Sequence, residues 1–122
     1  MGNLIRFIEE TRSTNSDLAT AFRAGEGPVE GDWLVARRQT AGKGRQGREW
    51  FDGAGNFMGS TVVQLRAGDP PPATLSFVAA LVVADAANEV LLEAAHPVLK
   101  WPNDVLLDGG KLSGILLEMV QD

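Results

Sequence analysis

One stretch, Gly42-Lys43-Gly44-Arg45-Gln46-Gly47-Arg48, alternates glycine with cations. Glycines let backbone N–H groups approach an anion, while lysine and arginine donate charged hydrogen bonds to carboxylate or phosphate. The stretch is not a Walker loop, which needs four residues between its glycines and then Lys-Ser/Thr. A solvated, flexible basic loop has the same composition. The two readings are compatible, because a loop that is loose when empty can close over a phosphate-bearing ligand. Trp50 and Phe51 follow directly; there a flat ring can stack, or the aromatics can anchor the loop to the core.

Three further constellations carry polar chemistry. Ser13-Thr14-Asn15 offers side-chain acceptors that suit a helix N-cap as well as a ligand. Lys100-Trp101-Pro102-Asn103-Asp104 places a lysine at a strand end, and the proline holds Trp101 extended so that Asn103 is presented at a fixed angle. Turn chemistry alone also accounts for Asn103 and Asp104. Lys111 opens the last strand, where a lone lysine is ordinarily a solvated surface charge, and His96 before Pro97 reads as a loop residue without a role.

The elements that must position these residues can be read from periodicity. Residues 4–8 alternate loosely and suit a short edge strand, and the 11–16 cluster then caps a helix whose apolar face is Leu18, Ala19, Ala21 and Phe22. Glycines and Pro28 in residues 25–31 end it, and residues 32–38 form a strand that runs into the basic segment. Residues 39–55 hold five glycines and no apolar period, so they form a loop far longer than the usual prior of about 4 to 6 residues. Residues 56–65 return to strand character. From Thr74, Leu75, Val78, Leu81, Val82, Ala86 and Val90 recur at helical spacing, and the lack of charge before Asp85 predicts a helix buried on more than one side. Residues 97–101, 104–107 and 111–119 read as strands, with Gly109-Gly110 as the hairpin turn. Neighbouring strands with tight turns and two helices predict an α+β fold, a mostly antiparallel sheet flanked by helices.

Composition narrows the function further. The chain has 122 residues, 44% of them apolar, which suits one core of ordinary size that needs no staple. No cysteine is present and one histidine, which excludes a disulfide scaffold, a thiolate metal site and a multi-histidine zinc site; the absence of cysteine is compatible with a cytoplasmic location. The longest uncharged stretch, residues 70–84, begins with three prolines and falls short of a membrane span, and the N-terminus does not read as a secretory signal. Net charge is −5, which argues against a dedicated DNA-binding domain. Five of the eleven basic residues nevertheless stand within residues 36–48 without an acid among them, a local anion site on an acidic chain.

Read in order, Ser13-Thr14-Asn15, the segment from Gln39 to Arg48 with Trp50, Lys100-Trp101-Pro102-Asn103-Asp104, and Lys111-Leu112-Ser113-Gly114-Ile115-Leu116 with Glu118 resemble the biotin protein ligase family. The resemblance spans residues 7–118. It implies ATP-dependent activation of biotin to biotinyl-adenylate with release of pyrophosphate, followed by transfer to a lysine of a biotin carboxyl carrier domain, as in acetyl-CoA carboxylase. The implied fold is shared with lipoate ligases and class II aminoacyl-tRNA synthetases.

By that resemblance Ser13, Thr14, Asn15 and Gln39 line the biotin pocket. Lys43, Gly44 and Arg45 meet the biotin carboxylate and the phosphate of the adenylate, Gly42 and Arg48 hold neighbouring phosphates, and Trp50 stacks on adenine. Asn103 makes an adenylate or metal-side contact, and Lys111 lies against the carboxylate and α-phosphate oxygens, with Arg45 and Lys111 as the catalytic pair. Magnesium would arrive on the phosphates of ATP rather than in a protein cage. Lys43 stands where the family more often has arginine, and Met58 where it commonly has an aromatic. The family's catalytic domain is longer, so residues 1–122 are expected to form one domain that stops short of it, without a helix-turn-helix, without a membrane partner, and with a sheet edge open to homodimerisation. Two other readings stay open at this point: a non-catalytic binding module or inactive fragment, and a ligase for a related acid such as lipoate.

Overall fold

The computed structural model describes residues 3–48, 53, 55–91, 95–101 and 103–121, Arg45 by its backbone alone. The chain divides into two compact units, residues 1–65 with 118–122 and residues 66–117. Its secondary structure is α+β, as expected, but the strands form two three-stranded sheets.

In the first unit, β1 (Ile5–Thr11) leads into α1 (Thr14–Arg23), β2 (Trp33–Gln39) and β3 (Met58–Thr61), with strand order β1-β2-β3. β2 and β3 pair antiparallel, but β1 and β2 are parallel, a departure from the tight-turn arrangement expected of neighbouring strands. The cause is α1: a helix between two strands carries the chain back to the starting end, so the second strand runs the same way. Ser13 caps α1 with its hydroxyl, accepting from the Ser16 N–H at 3.2 Å. Asp17 in the first turn accepts from the Thr11 hydroxyl at 2.5 Å and faces the positive end of the helix. Alternation then selects the inner face. Leu34 and Ala36 of β2 are buried beside Ser60 and Met58 of β3, their partners in register. Met58, where the resemblance expects an aromatic, is a core residue. β3 is shorter than the strand expected over 56–65, because its pairing with β2 ends at Trp33 and Thr61.

The second unit holds α2 (Leu75–Val90), entered through a 3₁₀ turn at Pro72–Thr74, and β4 (Val98–Lys100), β5 (Asp104–Leu107) and β6 (Gly110–Gly114) in one antiparallel sheet. The two-residue hairpin loop is Asp108-Gly109 rather than Gly109-Gly110: these two carry φ of 51° and 80°, and Leu107 pairs with Gly110. A type I′ turn needs positive φ at both central positions, which aspartate followed by glycine supplies. β6 stops at Gly114, short of the strand expected to reach residue 119.

α2 is not buried on several sides as its composition suggests. It packs on β4 and β5, and among its described residues only Ala80 is buried, while Val78, Val82 and Val90 are 52%, 61% and 83% exposed. With two acids tolerated, Pro72–Val90 is also long and apolar enough to cross a membrane, at a mean hydropathy of 1.4, which corrects the shorter stretch counted without charges. Phe77 and Trp101 lie with ring centroids 4.3 Å apart, and with Ala80, Leu99 and Lys100 they line a cavity of about 260 Å³.

Leu34 is 1% exposed at the centre of the first unit's sheet. Leu34→Ala should therefore destabilise the protein by about 2 to 5 kcal/mol, transfer and cavity terms combined. Urea unfolding checks this, and an unchanged midpoint would place Leu34 outside the core.

Candidate functional site

β1 and β2 end together, since Thr11 and Gln39 are partners in the parallel register, and α1 begins three residues after Thr11. The carboxyl ends of two parallel strands and the free N–H groups of a helix start therefore converge, a place where α/β structures gather polar groups for ligands. Gln39 Oε1 accepts the backbone N–H of Thr14 at 2.8 Å and lies 3.1 Å from the Thr14 hydroxyl. That hydroxyl is 2.7 Å from Ser60 Oγ, and Ser60 donates to Asn15 Oδ1. Asn15 Nδ2 in turn donates to Glu118 Oε1 at 3.1 Å. Ser13, Thr14 and Ser60 are buried, Asn15 and Gln39 are half-buried, and Glu118 is exposed. Thr14, Asn15, Gln39 and Ser60 thus bring together hydroxyl and amide groups that carry donors and acceptors without a formal charge.

The basic loop leaves from the same strand end. Backbone bonds from the Thr40 N–H to Thr11 O and from the Ala41 N–H to Arg12 O pin its start beside β1 at 2.9 and 2.7 Å. Farther on the chain folds back, the Gly44 N–H donating to Arg48 O at 2.6 Å across a 3₁₀ turn at Arg45–Gly47. Gln46 and Gly47 have φ of 60° and 73°, so one non-glycine residue is held left-handed at the tip. Gly42 is buried, and Lys43 and Arg48 expose their cations. Earlier in the run, Arg37 lies 3.7 Å from Glu9 with both side chains about 80% exposed, a pair too solvated to hold much. The Arg45 side chain and Trp50 lie outside the described residues. Ser13, Thr14, Asn15, Gln39, Gly42, Lys43, Gly44 and Arg48 thus belong to the first unit.

Asn103 and Lys111 belong to the second unit. Asn103 is buried at 7% exposure and its Nδ2 donates to the backbone oxygen of Ile115, which fixes the chain where β6 ends. Lys111 forms an ion pair across the hairpin with Asp104 at 3.2 Å. So the lysine of β6 is held by a carboxylate, not simply solvated. Among the described residues no group of three or more metal-ligating side chains assembles.

Two members of the polar cluster had no assigned role from sequence. Ser60 lay unremarked in a strand segment, although a hydroxyl two residues from Met58 on the inward face is itself a signal, because a buried hydroxyl needs a partner. Glu118 stood in the motif of the last strand without a task, and only the fold brings it to Asn15, 103 residues away.

Comparison with known proteins bears directly on this arrangement. Residues 6–121 match the Biotin/lipoate A/B protein ligase family. The chain belongs to that family. Among the ligases, the biotin--[acetyl-CoA-carboxylase] ligase of Paracoccus denitrificans is 50% identical over 111 residues, covering 91% of this chain and 45% of the relative. The corresponding enzyme of Mycobacterium tuberculosis is 41% identical over 120 residues, 93% of this chain and 44% of the relative. A biotin protein ligase from Aquifex aeolicus, solved in complex with biotin and ATP, superposes with a TM-score of 0.82 at 33% identity, over 99% of this chain and 49% of that one. The chain thus spans less than half the length of these ligases.

Asn103→Ala removes the buried donor to Ile115 and should cost about 1 to 3 kcal/mol. A lowered urea midpoint with faster amide exchange in residues 113–116 is the expected result, and unchanged exchange there would remove Asn103 from that tether.

Proposed function

We propose that this chain carries the biotin-activating site of a biotin protein ligase. Biotin and ATP combine there to biotinyl-5′-AMP, and the biotinyl group passes to a lysine of a biotin carboxyl carrier domain. The observation that carries the reading is the family match over residues 6–121, which takes in both the polar cluster of Thr14, Asn15, Gln39 and Ser60 and the glycine-cation loop. Together the two regions in this reading form one catalytic domain over residues 1–122, at work in the cytoplasm.

The chemistry follows from charge. An oxygen of the biotin carboxylate attacks the α-phosphorus of ATP, a phosphorus–oxygen bond forms, and the bond to pyrophosphate breaks. Two anions must approach, so cations between them supply the main catalytic term. Lys43 and Arg45 serve the carboxylate and α-phosphate, Gly42 and Gly44 open their backbone to them, and Arg48 holds the phosphates beyond. The family resemblance gives Lys111 the biotin carboxylate and α-phosphate oxygens, and Trp50 the adenine. The same resemblance gives Asn103 the adenylate or metal side. Ser13, Thr14, Asn15 and Gln39 take the ureido ring. Magnesium would come with the phosphates of ATP.

Mass spectrometry of the folded protein after incubation with biotin, ATP and magnesium should detect biotinyl-AMP. No product from folded protein would leave a binding module. Arg45→Ala should weaken a biotinyl-adenylate analogue by roughly 10- to 150-fold, the value of a charged hydrogen bond of about 1.5 to 3 kcal/mol. Unchanged affinity by calorimetry would remove Arg45 from the site.

A further inference from the structure

β1 stands at the edge of its sheet: among the described residues Ile5–Thr11 pairs with β2 alone. The parallel register says which backbone groups face outward. Leu4 O accepts the Trp33 N–H at 2.9 Å and the Leu4 N–H donates to Asp32 Oδ1 at 3.0 Å, so Leu4 faces β2, and in a parallel ladder every second residue after it does the same. Arg6, Ile8 and Glu10 therefore bond inward, while Ile5, Phe7 and Glu9 turn their N–H and C=O groups outward. The usual guards of such an edge are missing. Residues 5–11 contain no lysine, proline or glycine, Ile5 and Phe7 are 55% and 74% exposed, and α1 packs chiefly on β2 and β3.

Charge is polarised along this strand, with Arg6 near its start and Glu9 and Glu10 near its end. Glu9 lies 3.7 Å from Arg37, while Arg6 and Glu10 sit on the other face, in register with Leu34 and Arg38. We propose that β1 is a self-association edge: a second copy of this chain adds its own β1 antiparallel about a two-fold axis, with Ile8 opposite Ile8 and Arg6 opposite Glu10 of the other copy. Parallel pairing in register would lay Arg6 on Arg6 and Glu10 on Glu10, like charge on like. Opposite residues of an antiparallel pair share a face, so the axis falls on a residue rather than between two. Centred on Phe7 it would set Arg6 against Ile8, and centred on Glu9 it would set Glu9 against itself. The axis at Ile8 gives each arginine a carboxylate, on both sides of the axis by symmetry.

In that register Phe7 and Glu9 of opposite copies exchange both backbone bonds, and Arg6 with Glu10 and Ile8 with Ile8 form the closer pairs without a backbone bond. The Phe7 rings of the two copies lie diagonally across the junction and cover apolar surface that each otherwise leaves in water. Glu10 comes to stand between Arg38 of its own copy and Arg6 of the other. The three-stranded sheet is thereby doubled into one continuous sheet. A single strand pair is a small interface, which makes the dimer reversible rather than obligate.

Sedimentation velocity over a concentration series tests this on the wild type, Arg6→Glu, Glu10→Arg and an equimolar mixture of the two variants, each checked for folding by circular dichroism. The wild type should pass from monomer to dimer as concentration rises, and a monomer at every concentration up to about 1 mM overturns the proposal. Each variant sets like charges opposite one another and should weaken the dimer about tenfold or more, about 1.4 kcal/mol. In the mixture the new glutamate of one copy faces the new arginine of the other, and the native pair is kept on the other side of the axis. Association should therefore return to within about threefold of the wild type, as a cycle of coupled substitutions requires. A dimer indifferent to both substitutions, or a mixture no stronger than either variant alone, overturns the proposal and puts the contact on another face. Amide exchange of the wild type needs no variant: Phe7 and Glu9 should slow as concentration rises, while Arg6, Ile8 and Glu10, already bonded to β2, keep their rates. Exchange at Phe7 and Glu9 that does not depend on concentration overturns the proposal even where a variant does not fold.

Discussion

Gln39 Oε1 accepting the backbone N–H of Thr14 joins three elements that the chain visits separately. Thr14 opens α1, Gln39 closes β2, and Thr11, its partner in register, closes β1. One side-chain carbonyl thereby satisfies a donor that the first turn of a helix cannot satisfy internally, and it holds the helix start against the strand ends. The hydroxyl of Thr14 then meets Ser60 on β3, so the third strand is tied to the same point. The basic loop begins one residue after Gln39, and its first N–H groups bond to Thr11 and Arg12. The polar cluster and the start of the cationic loop are consequences of a single crossover.

That geometry explains a division of labour within the first unit. Buried hydroxyls and half-buried amides have fixed partners and present a fixed pattern of donors and acceptors, which suits selection of a neutral ring. Lys43 and Arg48 are exposed on a loop whose tip holds Gln46 left-handed, which suits capture of phosphate.

Much of this was legible in the sequence where the signal is local. Ser13 before an amphipathic run marks an N-cap, glycines and cations without an apolar period mark a loop, and Asp-Gly-Gly between alternating segments marks a hairpin. Its register was one residue off, because aspartate tolerates positive φ nearly as well as the second glycine. The parallel pairing of β1 with β2 was not legible, since strand direction depends on where a helix returns the chain. Nor was the exposure of α2: an apolar helix signals only that something can cover it, and among the described residues β4 and β5 cover a narrow face around Ala80. At the site, the grouping of Ser13, Thr14, Asn15 and Gln39 came from the family resemblance; the fold joins Thr14, Asn15 and Gln39 through Ser60 by hydrogen bonds, while the Ser13 hydroxyl caps α1. Ser60 and Glu118 escaped because their contacts to Thr14 and Asn15 cross 46 and 103 residues of sequence.

The central claim, that the junction of α1, β2 and β3 is where biotin sits, is tested most directly by titrating biotin into isotope-labelled protein and following each backbone amide by NMR. The largest shifts should fall on Thr14, Asn15, Gln39 and Ser60, with Glu118 following through Asn15. Saturating biotin that leaves those amides in place while others move would put the ligand elsewhere and contradict the account.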